Sequence, residues 1–219
     1  MPTIRLFFRK RRTDVKFVSI ENSFATMLAA FPNSSKYNLV KFESNFDSIG
    51  WGNRWRAIQE VRQHKADVNH VTGDVHFLVF GLPKSRTILT IHDCGFLQNK
   101  NPLQKWVLWL IWLRLPIARC RIVTTVSEAT KRDILALVPC KPEKIVVVPT
   151  VINALFERRE KIFNKKKPVI LHIGITENKN LKRHIVALRG LSCMLHIVGK
   201  ISDDILLLLK TIKLRLKTV

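Results

Sequence analysis

The residues best placed for chemistry in this chain are a histidine and an aspartate at the end of an apolar run. Thr87–Asp93 reads TILTIHD, so His92 and Asp93 close a segment rich in β-branched residues. At the C-terminal end of a parallel strand such a pair faces the crevice where α/β sheets bind their ligands. A neutral imidazole there donates or accepts a hydrogen bond to a ligand hydroxyl, and the Asp93 carboxylate can orient the ring. The structural alternative is a rim histidine whose bonds are satisfied within the protein.

Two further turns follow the same design. Pro168–Asn180 (PVILHIGITENKN) puts Gly174 at a strand end and Lys179 where a helical pattern begins. Glycine allows close backbone approach, and the positive end of the following helix favours phosphate. The alternative is an ordinary solvated lysine. Ile122–Asp133 (IVTTVSEATKRD) carries Ser127 and Glu128 at a helix start, where capping of free N–H groups and the helix dipole explain both residues. Gly199, after LeuHisIleVal, reads as a turn glycine.

The elements that must hold these turns alternate between strand and helix almost throughout. Strands are predicted at 3–9, 37–43, 68–72, 87–92, 121–126, 144–149, 169–174 and 193–198. Helices are predicted near 20–31, 52–65, 103–118, 128–137, 180–190 and 203–210. Short β-branched runs of this kind can bury both faces, which places them in a parallel sheet. Six strands with their helices make one doubly wound, Rossmann-like α/β domain over residues 1–157. Residues 158–167 are polar and basic and read as a linker. Residues 168–219 supply only a strand–helix–strand–helix unit, an incomplete second Rossmann-like domain.

The 219 residues leave room for one full α/β domain and part of another, and an apolar content of 47% is ample for a core. The net charge of +22 is unevenly placed: residues 1–16 hold six Lys/Arg against one Asp, 157–167 hold six against two Glu, and 205–219 hold four with no acid. Such a surface attracts nucleic acid, acidic lipid headgroups and nucleotide phosphates alike. Cys94, Cys120, Cys140 and Cys193 fit neither a zinc pattern nor a secreted disulfide framework, so a reduced cytoplasmic setting is expected. The run Ile4–Phe8 is too short for a signal h-region. Leu103–Ile117 contains Trp106, Trp109 and Trp112 beside Lys105 and Arg114, with Arg119 and Arg121 just beyond. Its apolar core falls far short of the ~20 residues that span a bilayer. It reads either as a buried helix or as one lying in a membrane interface. The chain has no Asp-x-Asp pair, no His-Glu-x-x-His, no Gly-x-Ser-x-Gly and no phosphate-loop motif.

In the order and wording of TILTIHD, IVTTVSEATKRD, KIVVVPT and PVILHIGITENKN, the chain resembles the family-4 retaining glycosyltransferases of the GT-B fold, over about residues 60–200. The resemblance implies transfer of a sugar from a nucleotide-diphosphate donor to a glycan or lipid-linked acceptor, with no cofactor and no metal. It places His92, with Asp93, by the donor sugar, and Gly174 with Lys179 at the donor diphosphate. The arginine that the family keeps soon after the glycine is replaced by Ile175 and Thr176. Thr150 and Asn153 depart from the family's Pro-Asn-Gly-Val-Asp pattern, and the first strand–helix loop lacks the usual glycine pair. That loop reads Arg9-Lys10-Arg11-Arg12 and leads to Ser19–Phe24. Because the loop normally lines the acceptor side, Arg9, Lys10 and Glu21 are expected there, with an anionic acceptor or lipid headgroup as partner.

No two glutamates stand eight apart, so the family's Glu-x7-Glu motif is absent. The expectation is a product truncated within the second domain, with little activity alone and with Leu206–Leu209 exposed. Peripheral attachment to an anionic membrane surface at its inner face is expected from the tryptophans and the basic surplus. Two other classes stay open: a non-catalytic membrane- or partner-binding module, and a basic nucleic-acid-binding protein. The latter is the weaker reading, since no reader motif is recognisable.

Overall fold

The computed structural model describes residues 1–10, 19–31, 36–152, 156–158, 160, 162–212 and 215–218; Arg11, Arg12 and Asn153 lie outside them. The chain divides into two compact units, Met1–Glu157 and Arg158–Val219.

The first unit is built on β1 (Thr3–Phe8), β2 (Asn38–Glu43), β3 (Val68–Val71), β4 (Thr87–Ile91), β5 (Ile122–Thr125) and β6 (Ile145–Val147). They form one sheet in the order β2-β1-β3-β4-β5-β6, with every neighbouring pair parallel. The order reverses between β1 and β3, so the chains leaving those strands part toward opposite faces and open a crevice at the strand ends. Two-residue alternation sorts the side chains. Phe7 joins Val71, Leu89, Ile91 and Val123 in the main core, against Ala57, Ile58 and Val61 of α2 (Trp51–Gln63) and Ile134 of α5 (Glu128–Leu137). Leu6 and Phe8 turn the other way and pack with Phe24 and Met27 of α1 (Ser19–Ala30). Burial on both faces holds for Leu6–Phe8 but fails toward β6. There Val123 and Ile145 are buried while Ile122 and Thr124 are half-buried and Val146 is 43% exposed.

Between β3 and β4 the chain forms a buried 3-10 segment, His76–Gly81, whose apolar run carries no period that a sequence reading could use. After β4 come α3 (Pro102–Leu108), a π-helical stretch (Trp109–Arg114) and α4 (Leu115–Ala118). Pro116 brings no N–H to the carbonyl four residues before it, that of Trp112, and His76 Nδ1 donates to that carbonyl at 2.6 Å. The tryptophans thereby separate. Trp109 Nε1 donates to the Leu137 carbonyl at 2.8 Å, and the Trp112 ring lies under the Arg54 guanidinium at 4.8 Å. Trp106 is 56% exposed, so the segment is neither wholly buried nor wholly interfacial.

The second unit has a parallel sheet in the order β7 (Val169–Ile173), β8 (Met194–Val198) and β9 (Arg215–Thr218), with α6 (Leu181–Ala187) and α7 (Asp203–Ile212). β9 was not predicted, because a four-residue run with one apolar residue, Arg-Leu-Lys-Thr, carries little apolar signal. Leu195 and Ile197 pack with Leu181, Ile185, Ile205 and Leu209. The expected exposure of Leu206–Leu209 holds for Leu206 and Leu207, 38% and 67% exposed, and is corrected for Leu209, which is 4% exposed because it turns toward the sheet. The open apolar surface is the other face of β7, where Val169, Leu171 and Ile173 are each more than half exposed. Among the described residues no helix is long and apolar enough to cross a membrane.

Candidate functional site

The crevice of the first unit is organised by the turn that follows β3. Thr72 fastens this turn to β1: its N–H donates to the Phe7 carbonyl at 3.1 Å and its hydroxyl donates to the same oxygen at 3.0 Å. The Thr72 carbonyl in turn accepts from His92 Nε2 at 2.9 Å. A carbonyl can only accept, so the neutral ring carries its proton on Nε2 and leaves Nδ1 as an acceptor. Among the described residues Nδ1 has no hydrogen-bond partner. The ring reaches Thr72 by crossing Gly73. A β-carbon on Gly73 would stand 2.5 Å from His92 Cδ2 and 2.7 Å from Nε2, and the residue has φ +118°, so glycine is required on both counts.

Asp93 does not orient His92. Its Oδ1 accepts from the Gly95 N–H at 2.8 Å, because the chain turns directly after it and a short carboxylate folds back on the amide two residues on. The orienting partner is the Thr72 carbonyl. On its other side, the carbonyl of His92 accepts from the Thr130 hydroxyl at 3.3 Å, and Thr130 N–H donates to the capping hydroxyl of Ser127 at 3.2 Å. The serine turn thus caps α5 and also steadies the backbone beneath the histidine.

His70, two residues before Thr72, was missed in the sequence. Its Nε2 lies 2.7 Å from the Thr90 hydroxyl, which lies 2.7 Å from that of Thr124, a chain of hydrogen bonds across β3, β4 and β5. Burial above all, then the charge of nearby His92, pushes His70 down to about 4, so it is neutral at ordinary pH. A pocket of about 160 Å³ is lined by Phe24 and Met27 of α1, His70, His92, Thr124 and residues 148–151. Thr150, one of the departures from the family pattern, is therefore a wall of this pocket. The signal for His70 and Gly73 was the run His70-Val-Thr-Gly-Asp at a strand end, a glycine turn that the reading passed over.

On the proposed acceptor side, Arg9 Nε is 3.0 Å from Glu21 Oε1 and Arg9 Nη1 is 3.3 Å from Asp74 Oδ2. Arg9 and Glu21 are brought together, but as a brace between β1, α1 and the Gly73 turn. Lys10 is exposed. In the second unit Gly174 and Lys179 are also brought together: the Lys179 stem passes 3.4 Å from where a β-carbon of Gly174 would stand. Ile175, in place of the family's arginine, packs over Gly199 at 3.0 Å from that glycine's missing β-carbon. Among the described residues no three His, Cys, Asp or Glu are grouped to hold a metal ion.

The profile of Glycosyltransferase Family 4 matches residues 8–154, well over half of the chain and all of the crevice just described. The chain belongs to glycosyltransferase family 4. No curated protein sequence matches it. Among solved structures it is similar to HepE of Anabaena in complex with UDP and glucose, with TM-score 0.60 and 10% identity over 100% of this chain and 69% of that one. It is similar also to MnaA of S. aureus with UDP, with TM-score 0.58 and 12% identity over 100% and 68% of the two chains. A Listeria monocytogenes protein described as a UDP-N-acetylglucosamine 2-epimerase gives TM-score 0.53 and 12% identity over 99% and 68%. At these identities the likeness is one of fold: this family-4 chain has the parallel-sheet, Rossmann-like architecture of GT-B proteins.

Gly73→Ala is expected to displace the His92 ring while leaving the sheet intact. Circular dichroism should be unchanged, and the histidine ring resonances of the variant should show His92 alone strongly shifted. Acid sensitivity provides a second check. Between about pH 6.5 and 4 the unfolded chain protonates His70 while the folded chain resists, so stability falls as pH drops through that window. His76, also drawn down by burial, acts in the same direction. In urea unfolding at several pH values, His70→Gln should flatten that fall without abolishing it.

Proposed function

We propose that this protein transfers a sugar from a nucleotide-diphosphate donor to a hydroxyl of a glycan or lipid-linked acceptor, with retention at the anomeric carbon and without a metal ion. The observation that carries the reading is His92, held at a strand end with Nε2 occupied by Thr72 and Nδ1 left as an acceptor. In that state His92 accepts a hydrogen bond from a hydroxyl of the donor sugar. The neutral pocket of His70, Thr90 and Thr124 surrounds it with hydrogen-bonding groups that add no charge. Lys179 supplies positive charge to the departing diphosphate, so that negative charge developing on the leaving group is stabilised. Arg9, held by Glu21 and Asp74, shapes the acceptor wall, and Lys10 offers the exposed cation beside it. Asp93 contributes by fixing the turn after His92.

Peripheral membrane attachment belongs to the same reading, favoured by a specific set of exposed side chains. Ile49, Trp51 and Trp55 at the start of α2 are 60%, 66% and 60% exposed, and Leu103 and Trp106 of α3 are 71% and 56% exposed. Both helices begin at the edge of the sheet where the strands end, beside Arg54, Arg56 and Lys105. Tryptophan and arginine together suit the headgroup region of a bilayer.

Turnover of nucleotide sugars with glycan and lipid-linked acceptors tests the activity. His92→Ala should lower turnover by roughly 10²–10⁴-fold, and Lys179→Ala should weaken nucleotide-diphosphate binding by calorimetry. Product stereochemistry by NMR should show retention. Interconversion of the nucleotide sugar without transfer would replace the transferase reading with an epimerase. For the membrane, vesicle binding should rise with anionic lipid, weaken with salt and drop in Trp51→Ser/Trp55→Ser; indifference to lipid charge would remove the attachment.

A further inference from the structure

The opposite edge of the first sheet, where β4, β5 and β6 begin, holds a second cavity of about 490 Å³ that shares no residue with the pocket of His92. Its floor includes Ile117 and Val138, both buried. Its wall carries five cations, Lys84, Arg114, Arg121, Lys141 and Lys144, against one carboxylate, Glu143. Among the described residues none of the five has an ion-pair partner. They are also not on wandering loops. Lys84 opens the 3-10 turn Lys84–Arg86 that leads into β4, and Lys144 closes the turn Pro142–Lys144 that leads into β6. The Arg121 N–H donates to the Thr87 carbonyl at 2.9 Å, which fixes its backbone to the first residue of β4. The Arg114 guanidinium lies 5.7 Å from the centre of the Trp109 ring.

Cations converging on a concavity repel one another unless an anion neutralises them. The strain is visible at Lys144, drawn below the ordinary lysine range by burial first and by the charge of Lys84 among its neighbours. An anion with oxygens in several directions would gain charge-assisted hydrogen bonds from this wall and relieve the repulsion. The shape selects the class of anion. The site is a single hollow with an apolar floor, whereas nucleic acid is bound along a groove that follows its backbone, with aromatics for the bases to stack on.

We propose that this cavity binds a phosphate group bearing at least two negative charges, carried either by a free phosphorylated small molecule or by a lipid headgroup. It is a site separate from the donor diphosphate at Lys179, and it stands or falls independently of transferase activity.

Calorimetry with pyrophosphate, in a Lys179→Ala background so that the donor site does not contribute, is the test. The pocket variant Lys84→Gln/Arg121→Gln/Lys141→Gln removes three exposed cations, and Lys165→Gln/Lys166→Gln/Lys167→Gln removes the same amount of charge elsewhere, from two exposed lysines and one half-buried. Circular dichroism checks that both variants fold. The pocket variant should bind pyrophosphate roughly tenfold or more weakly while the control changes by no more than about twofold. A second arm uses vesicles containing phosphatidic acid: pocket-dependent vesicle binding without pyrophosphate binding identifies a lipid headgroup, and the reverse a free phosphate. Equal weakening of both variants, binding in neither arm, or pocket-dependent binding of an oligonucleotide in preference to both probes would overturn the proposal.

Discussion

The hydrogen bond from His92 Nε2 to the Thr72 carbonyl is the contact on which the rest of the crevice depends. Through it a continuous path of bonds runs from the end of β1, at Phe7, to Thr72, across to His92, and on through Thr130 to the capped start of α5. Each such bond contributes only about 0.5–1.5 kcal/mol to stability. Their importance is geometric, because together they fix one tautomer and one ring position at the point where three strands end. Gly73 is the condition for this arrangement, since any side chain there would occupy the space of the ring.

The distribution of charge divides the molecule by task. In a chain of net charge +22 the lining of the His92 pocket includes no lysine or arginine: His70 loses its charge to burial, and Arg9, on the neighbouring loop, is met by two carboxylates. In the proposed function this lining meets a neutral sugar, and a free cation there would be desolvated at a cost. Surplus cations lie at the strand-start edge of the first sheet, along residues 158–167 and in residues 1–16, where Lys10 is exposed. The same logic separates the tryptophans, with Trp109 and Trp112 spent on hydrogen bonding and ring packing and Trp51, Trp55 and Trp106 left at the surface.

Much of the first sheet was legible because parallel strands write themselves as short β-branched runs, and the apolar part of TILTIHD, Thr87–Ile91, is β4. The position of His92 at the rim followed directly. Its partner did not, because Thr72 is twenty residues away and the bond uses a backbone carbonyl, which no side-chain pattern records. Asp93 misled for a related reason: adjacency in sequence suggested a pair, while the local turn gave the carboxylate a nearer amide at Gly95. The π-helical stretch was hidden behind a run that looked uniformly apolar, although Pro116 marked the place where a carbonyl would need another donor. One-sided burial at β5 and β6 was illegible because residue type says that a strand can be covered on both faces, and only packing says whether it is.

Nitrogen-15 NMR of the histidine rings during titration with a nucleotide sugar tests the central claim most directly, with His92→Gln assigning its signals among the seven histidines. The account predicts that neutral His92 carries its proton on Nε2, that this proton stays in place throughout, and that Nδ1 shifts as the sugar binds. A proton on Nδ1 in the free protein, or a His92 ring indifferent to saturating ligand while other histidines respond, would contradict it.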